Sequence, residues 1–562
     1  MSSDRERLRV GLLVPDAPLD YLVTDLVKRS LSSEHYEISA LVIQHTNSTE
    51  AKSGHLQKLK FFIRQNGFKG LFARTLWALV LKLEGILLRQ TKRYQHVQSK
   101  APLTSLSLHK IIVNPEVSKS GLVVRFNRQD LERIAALKLD ALVMAGGGIL
   151  KGDILSVTRF GVISFHHADN RLNRGAPAGF WEVFERQAVT GFIIQRLTEE
   201  LDGGDVLARA SIATSAYYLL NNARVKVKSS IFMHQLLEQL GQSNRLPEIE
   251  ESLPYSNRLY RKPSFLQLLK YMMRTYSHIA KKLFRKIIKS DVDWEVAYLR
   301  SPNWRTSVLW KAKTIANPPG RFLADPIVAS SDAQDVIFVE DYDLKTRTGS
   351  VSAIEVKEDT YELHKDILVE NCHLSYPYVF KADQTWFMCP ETSQLDQIRL
   401  YESVEFPFKW KFKRVLIDHI KAVDTNIIFH DGRWWLFATV DSSDLGDAFS
   451  ELHIFYADNL ESDEWKPHAK NPIITDALTA RNGGKIEQVN GKLYRPFQYP
   501  AYDTYGKGVG VAEIVLLTAD DYDERVIVDI KPNFKDNIDG IHSYSHSNGI
   551  VAVDFFRFRK RS

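Results

Sequence analysis

Cysteine is nearly absent from this sequence, since Cys372 and Cys389 are the only two in 562 residues. Two cysteines are too few for a disulfide framework and show no metal-ligand spacing, so a reducing compartment and no metal site are expected. Long apolar runs are also missing, because charges interrupt every run well before the ~18 residues that a transmembrane helix needs. The charged amino terminus leads straight into Val10–Val14, which is not the pattern of a secretory signal. We therefore expect a cytoplasmic protein.

Net charge is small, at +6, but the positive charge is concentrated. Residues 52–100 hold eleven Lys or Arg and one acid, Glu84, whereas residues 258–290 hold ten Lys or Arg and no acid. From Phe265 to Ile287, apolar residues recur every three or four positions and the cations lie off that face. Such basic helices suit an anionic membrane surface, and so a peripheral position at the inner membrane face. Two helices that pack on the domains with solvated lysines are the alternative, which stays open. Nucleic acid is not an expected partner, because no recognition motif is present.

The first part of the chain alternates strand and helix patterns. Arg9–Val14 and Tyr36–Ile43 are short apolar runs typical of buried strands, and Leu19–Val27 between them repeats apolar residues at helical spacing. Leu139–Met144 is a further strand that enters a glycine-rich loop. Strands alternating with helices predict an α/β domain built on a Rossmann-like parallel sheet.

Gly161–Gly175 joins an apolar strand end to a polar loop. The strand leads into His166 and His167, and Asp202 follows His166 by 36 residues in a second loop. A carboxylate beside an imidazole fixes its tautomer and raises its basicity, as a general base requires. The pair therefore predicts a catalytic site, with a buried histidine beside a glycine turn as the alternative.

The same stretch resembles the formyltransferases that use 10-formyltetrahydrofolate, such as methionyl-tRNA formyltransferase and sugar N-formyltransferases. Their pattern is Gly-x-Ile-Asn-x-His, then Arg-Gly, then Leu-Asp-x-Gly-Asp. The matching segments here, in order, are Gly161–His166, Arg174-Gly175, Pro177–Trp181, Thr190–Gln195 and Leu201–Asp205. The resemblance implies 10-formyltetrahydrofolate as the cofactor, His166 and Asp202 as catalytic residues, and Arg174 and Trp181 on the substrate side.

Ser164 departs from the family pattern. The family has an asparagine there that helps to hold the formyl oxygen, and its Ser-Leu-Leu-Pro loop is replaced by Ala168–Arg171. A serine hydroxyl is one donor on a shorter arm, and loss of an oxyanion donor costs about 10²–10³ in rate. Ser164 is the expected donor, with Asn170 or His167 as alternatives.

The resemblance also assigns a role to the glycine-rich loop. Glycines let a backbone approach a flat ligand closely, and the corresponding family loop lies against the pterin of the folate. The cofactor-binding residues are then expected to be Gly146, Gly147, Gly148 and Ile149. A plain tight turn is the alternative.

After Trp294 the pattern changes to short alternating strands separated by turns such as Asp-Gly and Asn-Gly. A strand–turn–strand unit recurs at Phe380–Met388, Phe429–Phe437 and Ile486–Tyr494. Repetition at about 40–55 residues predicts a β-propeller, whose ring Trp294–Tyr298 would close. Five strand groups are predicted, at residues 322–356, 361–401, 415–456, 471–517 and 526–558.

Five motifs in this region resemble the propeller of glucosamine inositolphosphorylceramide transferases: Phe322–Pro326, His373–Tyr378, Pro390–Thr392, Val423–Thr425 and Tyr494–Pro496. They are also similar to five-bladed glycosidases, in which two aspartates and a glutamate surround the axis. The resemblance implies that Asp325, Glu391 and Asp424 converge there as substrate-binding residues. Glycan binding or handling, hydrolysis and a scaffold role all stay open. Hydrolysis needs a carboxylate pair at about 5.5 Å or about 6.5–9.5 Å, and a sequence does not give that distance.

These patterns predict three segments. Residues 1–240 form an α/β formyltransferase-like domain with a basic helical insertion at about 52–100, residues 241–292 a linker and basic amphipathic helix, and residues 293–562 an all-β five-bladed propeller. The expected enzyme moves a formyl group to an aminosugar nucleotide or glycolipid in surface polysaccharide or glycolipid synthesis. The alternative is a degenerate formyltransferase fold that supports a glycan-binding or glycosyl-transferring propeller at the membrane surface.

Overall fold

The computed structural model describes residues 6–45, 55–91, 94–118, 121–200, 203–251, 253–287, 292–331, 334–358, 360–443 and 446–558. The chain divides into two compact units. The first unit comprises Met1–Ala210 with Thr214–Ile279, and the second comprises Ser211–Ala213 with Ala280–Ser562. No helix within the described ranges has the length and hydropathy that crossing a membrane requires.

The first unit contains a seven-stranded sheet in the order β11-β10-β8-β6-β1-β2-β3. The strands of this part of the chain, seven of which form that sheet, are β1 (Leu8–Pro15), β2 (Tyr36–Gln44), β3 (His109–Val113), β4 (Glu116–Val117), β5 (Val123–Arg125), β6 (Ala141–Met144), β7 (Ile149–Lys151), β8 (Val162–His166), β9 (Arg174–Gly175), β10 (Val189–Arg196), β11 (Asp205–Ala213) and β12 (Leu259–Tyr260). Its helices are α1 (Tyr21–Ser30), α2 (His55–Arg89), α3 (Arg128–Ala135), α4 (Phe180–Glu185), α5 (Tyr218–Ser243) and the start of α6 (Phe265–Ile287). Pairing is parallel from β8 through β6, β1 and β2 to β3, whereas β10 is antiparallel to β8. The predicted Rossmann-type parallel sheet is confirmed.

The parallel strands form the core of the first unit. Leu13, Val42, Leu142 and Val162 come from four different strands, and all four are fully buried in one hydrophobic cluster. Strands that are covered on both faces need continuous rather than alternating apolar sequence, which is why the short runs in the sequence identified them.

Within the basic insertion, His55–Arg89 form helix α2. Helix α2 is interrupted at Gly67, whose φ of 63° and ψ of −178° are not helical. Fully buried Glu84 fixes α2 to the unit, since its carboxylate accepts the Leu219 backbone N–H at 2.9 Å and the Tyr271 hydroxyl at 2.5 Å. Burial raises the pKa of Glu84 to about 7, against the opposing effect of these two hydrogen bonds. The only acid of the insertion is therefore a packing anchor.

The second unit consists of five four-stranded sheets, in which every described pairing is antiparallel. Its strands are β13 (Val292–Arg300), β14 (Lys313–Thr314), β15 (Arg321–Ser330), β16 (Asp335–Asp343), β17 (Thr348–Val356), β18 (Tyr361–Leu368), β19 (Ser375–Ala382), β20 (Thr385–Glu391), β21 (Gln397–Glu405), β22 (Lys409–Asp418), β23 (Ala422–His430), β24 (Arg433–Val440), β25 (Leu452–Ala457), β26 (Lys466–Pro467), β27 (Glu487–Val489), β28 (Lys492–Ala501), β29 (Thr504–Leu517), β30 (Tyr522–Ile530), β31 (Tyr544–Ser547) and β32 (Ile550–Phe558). Four sheets are consecutive, from β15–β18 to β27–β30. The fifth has the order β14-β13-β32-β31 and so joins the two ends of the unit.

The predicted group boundaries are wrong by about one strand. Tyr361–Leu368 was expected to begin the second group, but it is the fourth strand of the first sheet, beside β17. Lys409–Asp418 likewise completes the second sheet. These outer strands are largely half-exposed, so their alternating pattern resembles that of any strand and does not identify the neighbour. The three predicted strand–turn–strand units are confirmed as β19–β20, β23–β24 and β27–β28.

Candidate functional site

His166 is the last residue of β8, at the edge of the sheet where the parallel strands end. Met144 of β6 is paired with Ser164 of β8, so the glycine-rich loop after β6 begins beside His166. Alternation along β8 puts Ser164 and His166 on one face of the sheet, and both are half-buried. Asp202, the predicted partner of His166, lies outside the described residues. A polar strand end at this edge is a common position for ligand sites in open α/β sheets.

The loop after β6 has a conformation that requires glycine. Gly146, Gly147 and Gly148 have φ values of 101°, 112° and 93°. A Cβ atom on Gly147 would lie 2.3 Å from the side-chain nitrogen of Gln44, and one on Gly148 would lie 2.8 Å from a methyl carbon of Val124. Ile149 fixes the end of the loop by donating its N–H to the Leu122 carbonyl at 2.8 Å. Gly146 and Gly148 are exposed, so the loop offers bare backbone beside His166, which fits a flat ligand.

The two alternative oxyanion donors are engaged elsewhere. His167 lies 3.0 Å from the Ser229 hydroxyl of α5, and burial, followed by the charges of Lys226 and His166, lowers its pKa to about 3. Asn170 accepts a hydrogen bond from Arg209 at 3.1 Å. The Ser164 hydroxyl donates only a 3.3 Å bond to the neighbouring Phe165 carbonyl. Of the three predicted donors, Ser164 shares the face of His166.

Arg174 lies in a cavity of about 230 Å³. Its guanidinium stacks over the Tyr255 ring, 4.4 Å from the centroid, and its Nε donates to the Asn170 carbonyl at 3.0 Å. The cavity is lined by arginines and acids together with smaller and apolar residues. The lining residues are Asn170, Arg171, Arg174, Glu200, Gly203, Gly204, Val206, Arg209, Glu250, Glu251, Leu253 and Tyr255. Such a polar recess can take a ligand with both hydroxyl and phosphate groups.

Asp169 organises the arginines around that cavity. It accepts hydrogen bonds from Arg171 at 2.9 Å and forms an ion pair with Arg209. Burial opposes its ionisation, but the hydrogen bonds from Arg171 and the charge of Arg209 hold the pKa of Asp169 below its ordinary value. Arg209 also pairs with Glu250 at 2.8 Å. Sequence reasoning missed Asp169 and Arg209. Asp169 could have been found, because it is an acid that closely follows the histidine pair.

Trp181 is buried, with 4% of its surface exposed. Its indole N–H donates to the Ala176 carbonyl at 3.3 Å, and its ring packs against Phe180, Phe184 and Tyr260. Any effect of Trp181 on a substrate therefore passes through the loop that it holds in place.

In the second unit, three sheets begin with the same backbone irregularity. The first strands β15, β19 and β23 each contain a β-bulge, and the bulged residues Asp325, Tyr376 and Asp424 have φ values of 50°, 42° and 53°. Non-glycine residues in the left-handed region cost on the order of 1–3 kcal/mol each and persist where the surroundings enforce them. Repetition of this strain at equivalent positions indicates that these side chains are aimed at a common region.

Hydrogen bonds between successive sheets form a closed circuit around that region. The Tyr376 N–H donates to Asp325, the Asn426 amide donates to the Tyr376 hydroxyl, and the Ile486 N–H donates to Asn426. The circuit continues from the Tyr544 N–H to the Gly483 carbonyl and returns from the Val328 N–H to the Ser545 hydroxyl. These hydrogen bonds connect the five described sheets, or the segments next to them, in sequence.

His542 lies between two carboxylates in the centre. Its Nδ1 is 2.6 Å from Asp554 and its Nε2 is 3.3 Å from Asp325, while the Trp294 ring stacks on it at 3.8 Å. Burial disfavours the charged imidazole, but the Asp554 and Asp325 carboxylates raise the pKa of His542 overall. The ligating atoms of the three residues lie within 4.8 Å of one another, which is also close enough for a cation.

Asp424 is compensated by an arginine. The Arg481 Nε lies 2.6 Å from an Asp424 carboxylate oxygen, which also accepts from the Gln498 amide at 3.2 Å. Arg481 reaches the Tyr505 hydroxyl at 3.3 Å. Removing either partner of a buried ion pair that has further hydrogen bonds leaves an uncompensated buried group, so the two residues hold each other in place.

Glu391 completes the cluster. Its carboxylate accepts the Ser393 hydroxyl at 2.8 Å. Burial, and then the negative charge of Asp424, raise its pKa to about 7, with Arg481 opposing and Asp325 adding to the shift. Burial likewise raises the pKa of Asp325 to about 6 against the charge of His542, with Asp554 and Asp424 adding to the shift. The three predicted acids therefore interact electrostatically as one group, in which Asp325 and Asp424 are buried and Glu391 is half-buried.

Sequence reasoning missed the partners of these acids. Asp554 is the one charged residue in the apolar run Ile550–Phe556, and that isolation is a signal that was available. His542 and Arg481 lie in irregular segments between strands, where no sequence pattern distinguishes them from other polar loop residues. Tyr376 has a left-handed backbone, and its hydroxyl donates a hydrogen bond to the Gly484 carbonyl, so this residue has a structural role in the cluster.

Comparison with known proteins finds two kinds of relative. Residues 304–549 match the family model "Glucosamine inositolphosphorylceramide transferase 1, N-terminal". The rice (Oryza sativa subsp. japonica) protein named glucosamine inositolphosphorylceramide transferase 1 is 35% identical over 210 residues, which are 37% of this chain and 28% of that protein. The Arabidopsis thaliana protein of that name is 33% identical over 210 residues, 27% of its length. The chain thus spans little more than a quarter of these relatives.

Methionyl-tRNA formyltransferase of Bacillus cereus (strain AH187) is 24% identical over 259 residues, covering 44% of this chain and 75% of that protein. Among solved structures, glycinamide ribonucleotide transformylase 1 from Symbiobacterium toebii is 12% identical with a TM-score of 0.28, covering 44% of this chain and 96% of its own. The GH62 alpha-L-arabinofuranosidase of Coprinopsis cinerea is also 12% identical, with a TM-score of 0.33, covering 46% and 86%. The curated relatives of both kinds are transferases by name.

Proposed function

We propose that the first unit transfers a formyl group from 10-formyltetrahydrofolate to the amine of an aminosugar, carried on a nucleotide or a glycolipid. The observation that carries the proposal is His166 at the end of β8, beside the exposed glycine loop that follows β6. The 24% identity to a methionyl-tRNA formyltransferase supports acyl transfer as the chemistry. The name of the family model matched by residues 304–549, which the rice and Arabidopsis relatives share, favours a sugar acceptor over tRNA.

Each residue at this edge has a role in the proposal. Gly146–Ile149 would hold the folate, which supplies the formyl group when bound. The His166 imidazole takes a proton from the attacking amine, and Asp202 orients that imidazole. The Ser164 hydroxyl donates to the formyl oxygen as it gains negative charge.

The cavity around Arg174 is the proposed acceptor subsite. Arg174 and Arg171 line it as cations, and Glu250 and Glu251 line it as acids. Guanidinium groups bind phosphate oxygens, and carboxylates accept paired hydroxyl donors, so the lining suits a phosphorylated sugar.

The proposal is tested by incubating the protein with 10-formyltetrahydrofolate and a panel of nucleotide aminosugars. Mass spectrometry should detect one formyl group added to an amine-bearing sugar. The N-acetylated form of the same sugar is the matched control, because its nitrogen is not nucleophilic. A panel with no formylated product, from protein that binds folate, would favour the second function below.

For the second unit, we propose a five-bladed propeller whose centre binds a glycan headgroup. The antiparallel pairing of β13 with β32 and the closed hydrogen-bond circuit support a ring of five blades. The buried acids Asp325 and Asp424 and the half-buried Glu391, with Arg481, favour sugar hydroxyls, which pair with carboxylates. A glycolipid acceptor would bring the protein to the cytoplasmic face of a membrane.

A second candidate function follows from this site: the first unit is a degenerate fold, and the second binds or transfers glycans at the membrane. The presence of Ser164 in place of an asparagine favours it. Calorimetric titration of glucosamine and of inositol phosphate into the full chain separates the candidates. Glycan binding that Glu391→Gln weakens, without formyl transfer, supports this alternative, whereas formyl transfer without glycan binding leaves the second unit as a scaffold.

A further inference from the structure

Helix α2 carries an exposed apolar stripe. The stripe consists of Phe68, Phe72, Leu79, Leu83 and Ile86, with exposed fractions between 38% and 68%. Spacings of four, seven, four and three residues put these side chains on one face of the helix. Soluble proteins rarely expose contiguous apolar surface without a partner. This stripe lies on the solvent side, since the same helix is fixed to its unit by buried Glu84.

A groove opens from the stripe toward the start of α6. Its volume is about 1030 Å³, and Phe72 and Phe265 meet across it with ring centroids 6.2 Å apart. The lining residues are Lys69, Gly70, Phe72, Ala73, Arg74, Trp77, Lys262, Pro263, Ser264, Phe265 and Leu266. The volume is at the upper end of small-ligand pockets, which span about 300–1,000 Å³. Leu266, at 74% exposed, extends the apolar surface past the opening.

Charge identifies the chemistry of the occupant. Lys69, Arg74 and Lys262 line the groove, and no acid does so among the described residues. Glu84 is the only acid of α2, and it is fully buried. An apolar groove lined by cations is complementary to a molecule with a long apolar chain and an anionic headgroup.

We propose that this surface lies on an anionic bilayer and that one phospholipid inserts an acyl chain into the groove, with its phosphate among Lys69, Arg74 and Lys262. The stripe then rests on the lipid surface as an interfacial helix. The inference deepens the proposed membrane location. It uses none of the residues of the His166 site, so each can fail without the other.

Vesicle co-sedimentation tests the surface. The full chain should pellet with phosphatidylcholine vesicles that contain roughly one quarter phosphatidylglycerol, should not pellet with pure phosphatidylcholine, and should be released by high salt. Phe72→Asp and Leu266→Asp should each lower the partition coefficient at least tenfold. Leu31→Asp is the matched control, because Leu31 is 81% exposed at the end of α1 and should have no effect. Equal losses in all three variants, or wild-type protein that ignores the vesicles, would overturn the inference.

Quenching by phospholipids with brominated acyl chains tests the groove. Trp77 lines it and packs against Phe180 and Tyr218, contacts that a phenylalanine can retain. Trp77→Phe should remove most of the quenched fluorescence, and Ala73→Trp, which fills the groove, should reduce lipid binding. Quenching unchanged in Trp77→Phe would show that no chain enters.

Two further measurements separate the other outcomes. If the wild type is a dimer by light scattering and Phe72→Asp is a monomer with unchanged vesicle binding, the stripe is an interface between copies and the lipid inference is wrong. Formyl transfer to a water-soluble aminosugar should be unchanged in Phe72→Asp. If wild-type protein transfers formyl but ignores vesicles, the surface inference alone fails.

Discussion

The two candidate sites differ in how the backbone forms them. In the first unit, His166 ends a regular parallel strand, Ser164 shares its face, and the adjacent glycine loop leaves backbone exposed. In the second unit, Asp325 and Asp424 occupy left-handed positions at β-bulges, and their charges are buried against His542 and Arg481. An open strand edge suits a cofactor that is loaded and released, whereas strain and buried charge suit a rigid recognition site.

The largest expected effect sharpens this contrast at the open edge. His166→Ala should lower formyl transfer by about 10²–10⁴, because a general base contributes that much. The unit should stay folded, since the side chain is half-buried. His167→Asn, in the next residue but bonded to Ser229, should cost less than about tenfold, a small part of that range. Steady-state rates of formyl transfer are measured for both variants, with circular dichroism as the folding control. If the two variants have equal rates, His166 is not the general base.

At the buried centre, the expected loss is one of stability. Arg481→Met leaves the Asp424 carboxylate buried without its cation, which should cost about 3–5 kcal/mol in the free energy of unfolding. Denaturant unfolding followed by tryptophan fluorescence measures it. The double variant Arg481→Met with Asp424→Asn should recover part of the loss. A single variant as stable as the wild type would mean that the pair is not buried as described.

Ser164→Asn tests the departure from the formyltransferase pattern. An amide on a longer arm should restore a stronger donor to the formyl oxygen and raise the transfer rate, by up to about 10²-fold. The matched control is Ser156→Asn, an exposed serine in the same unit, which should leave the rate unchanged. A lower rate in Ser164→Asn would indicate that Ser164 is already the better fit to this site.

The smallest expected effect is a pH dependence of stability. Folding raises the pKa of Glu391 from 4.5 to about 7, so between these values the folded state holds a proton that the unfolded chain has released. Stability of the second unit should therefore fall as the pH rises from about 4.5 to about 7, and Glu391→Gln should flatten that slope. Glu84→Gln should flatten the corresponding slope of the first unit, where the pKa is also raised to about 7. Unchanged slopes in both variants would contradict these assignments.

Local pattern explains what could be predicted from the sequence. Apolar runs identified β1, β2 and β6 because both faces of a parallel sheet are buried, and turn residues identified hairpins such as β23–β24. Neither signal records which strand lies beside which, and the boundaries of the β-sheets were therefore misplaced. Asp325 and Asp554 are 229 residues apart, and only the fold brings them together. The partners of the predicted acids were missed for that reason.

Calorimetric titration of folinic acid is the most direct test of the central claim, that the glycine loop beside His166 is a folate site. The wild type should bind at one site and, at about 100 Kd of ligand, gain about 2.7 kcal/mol of stability. Gly147→Val should not bind, because a β-branched residue is strained at the φ of 112° that Gly147 adopts and would reshape the loop. Gly85→Ala, with open space around it, is the control and should bind normally. No binding by the folded wild type, or equal binding by Gly147→Val, would contradict the account.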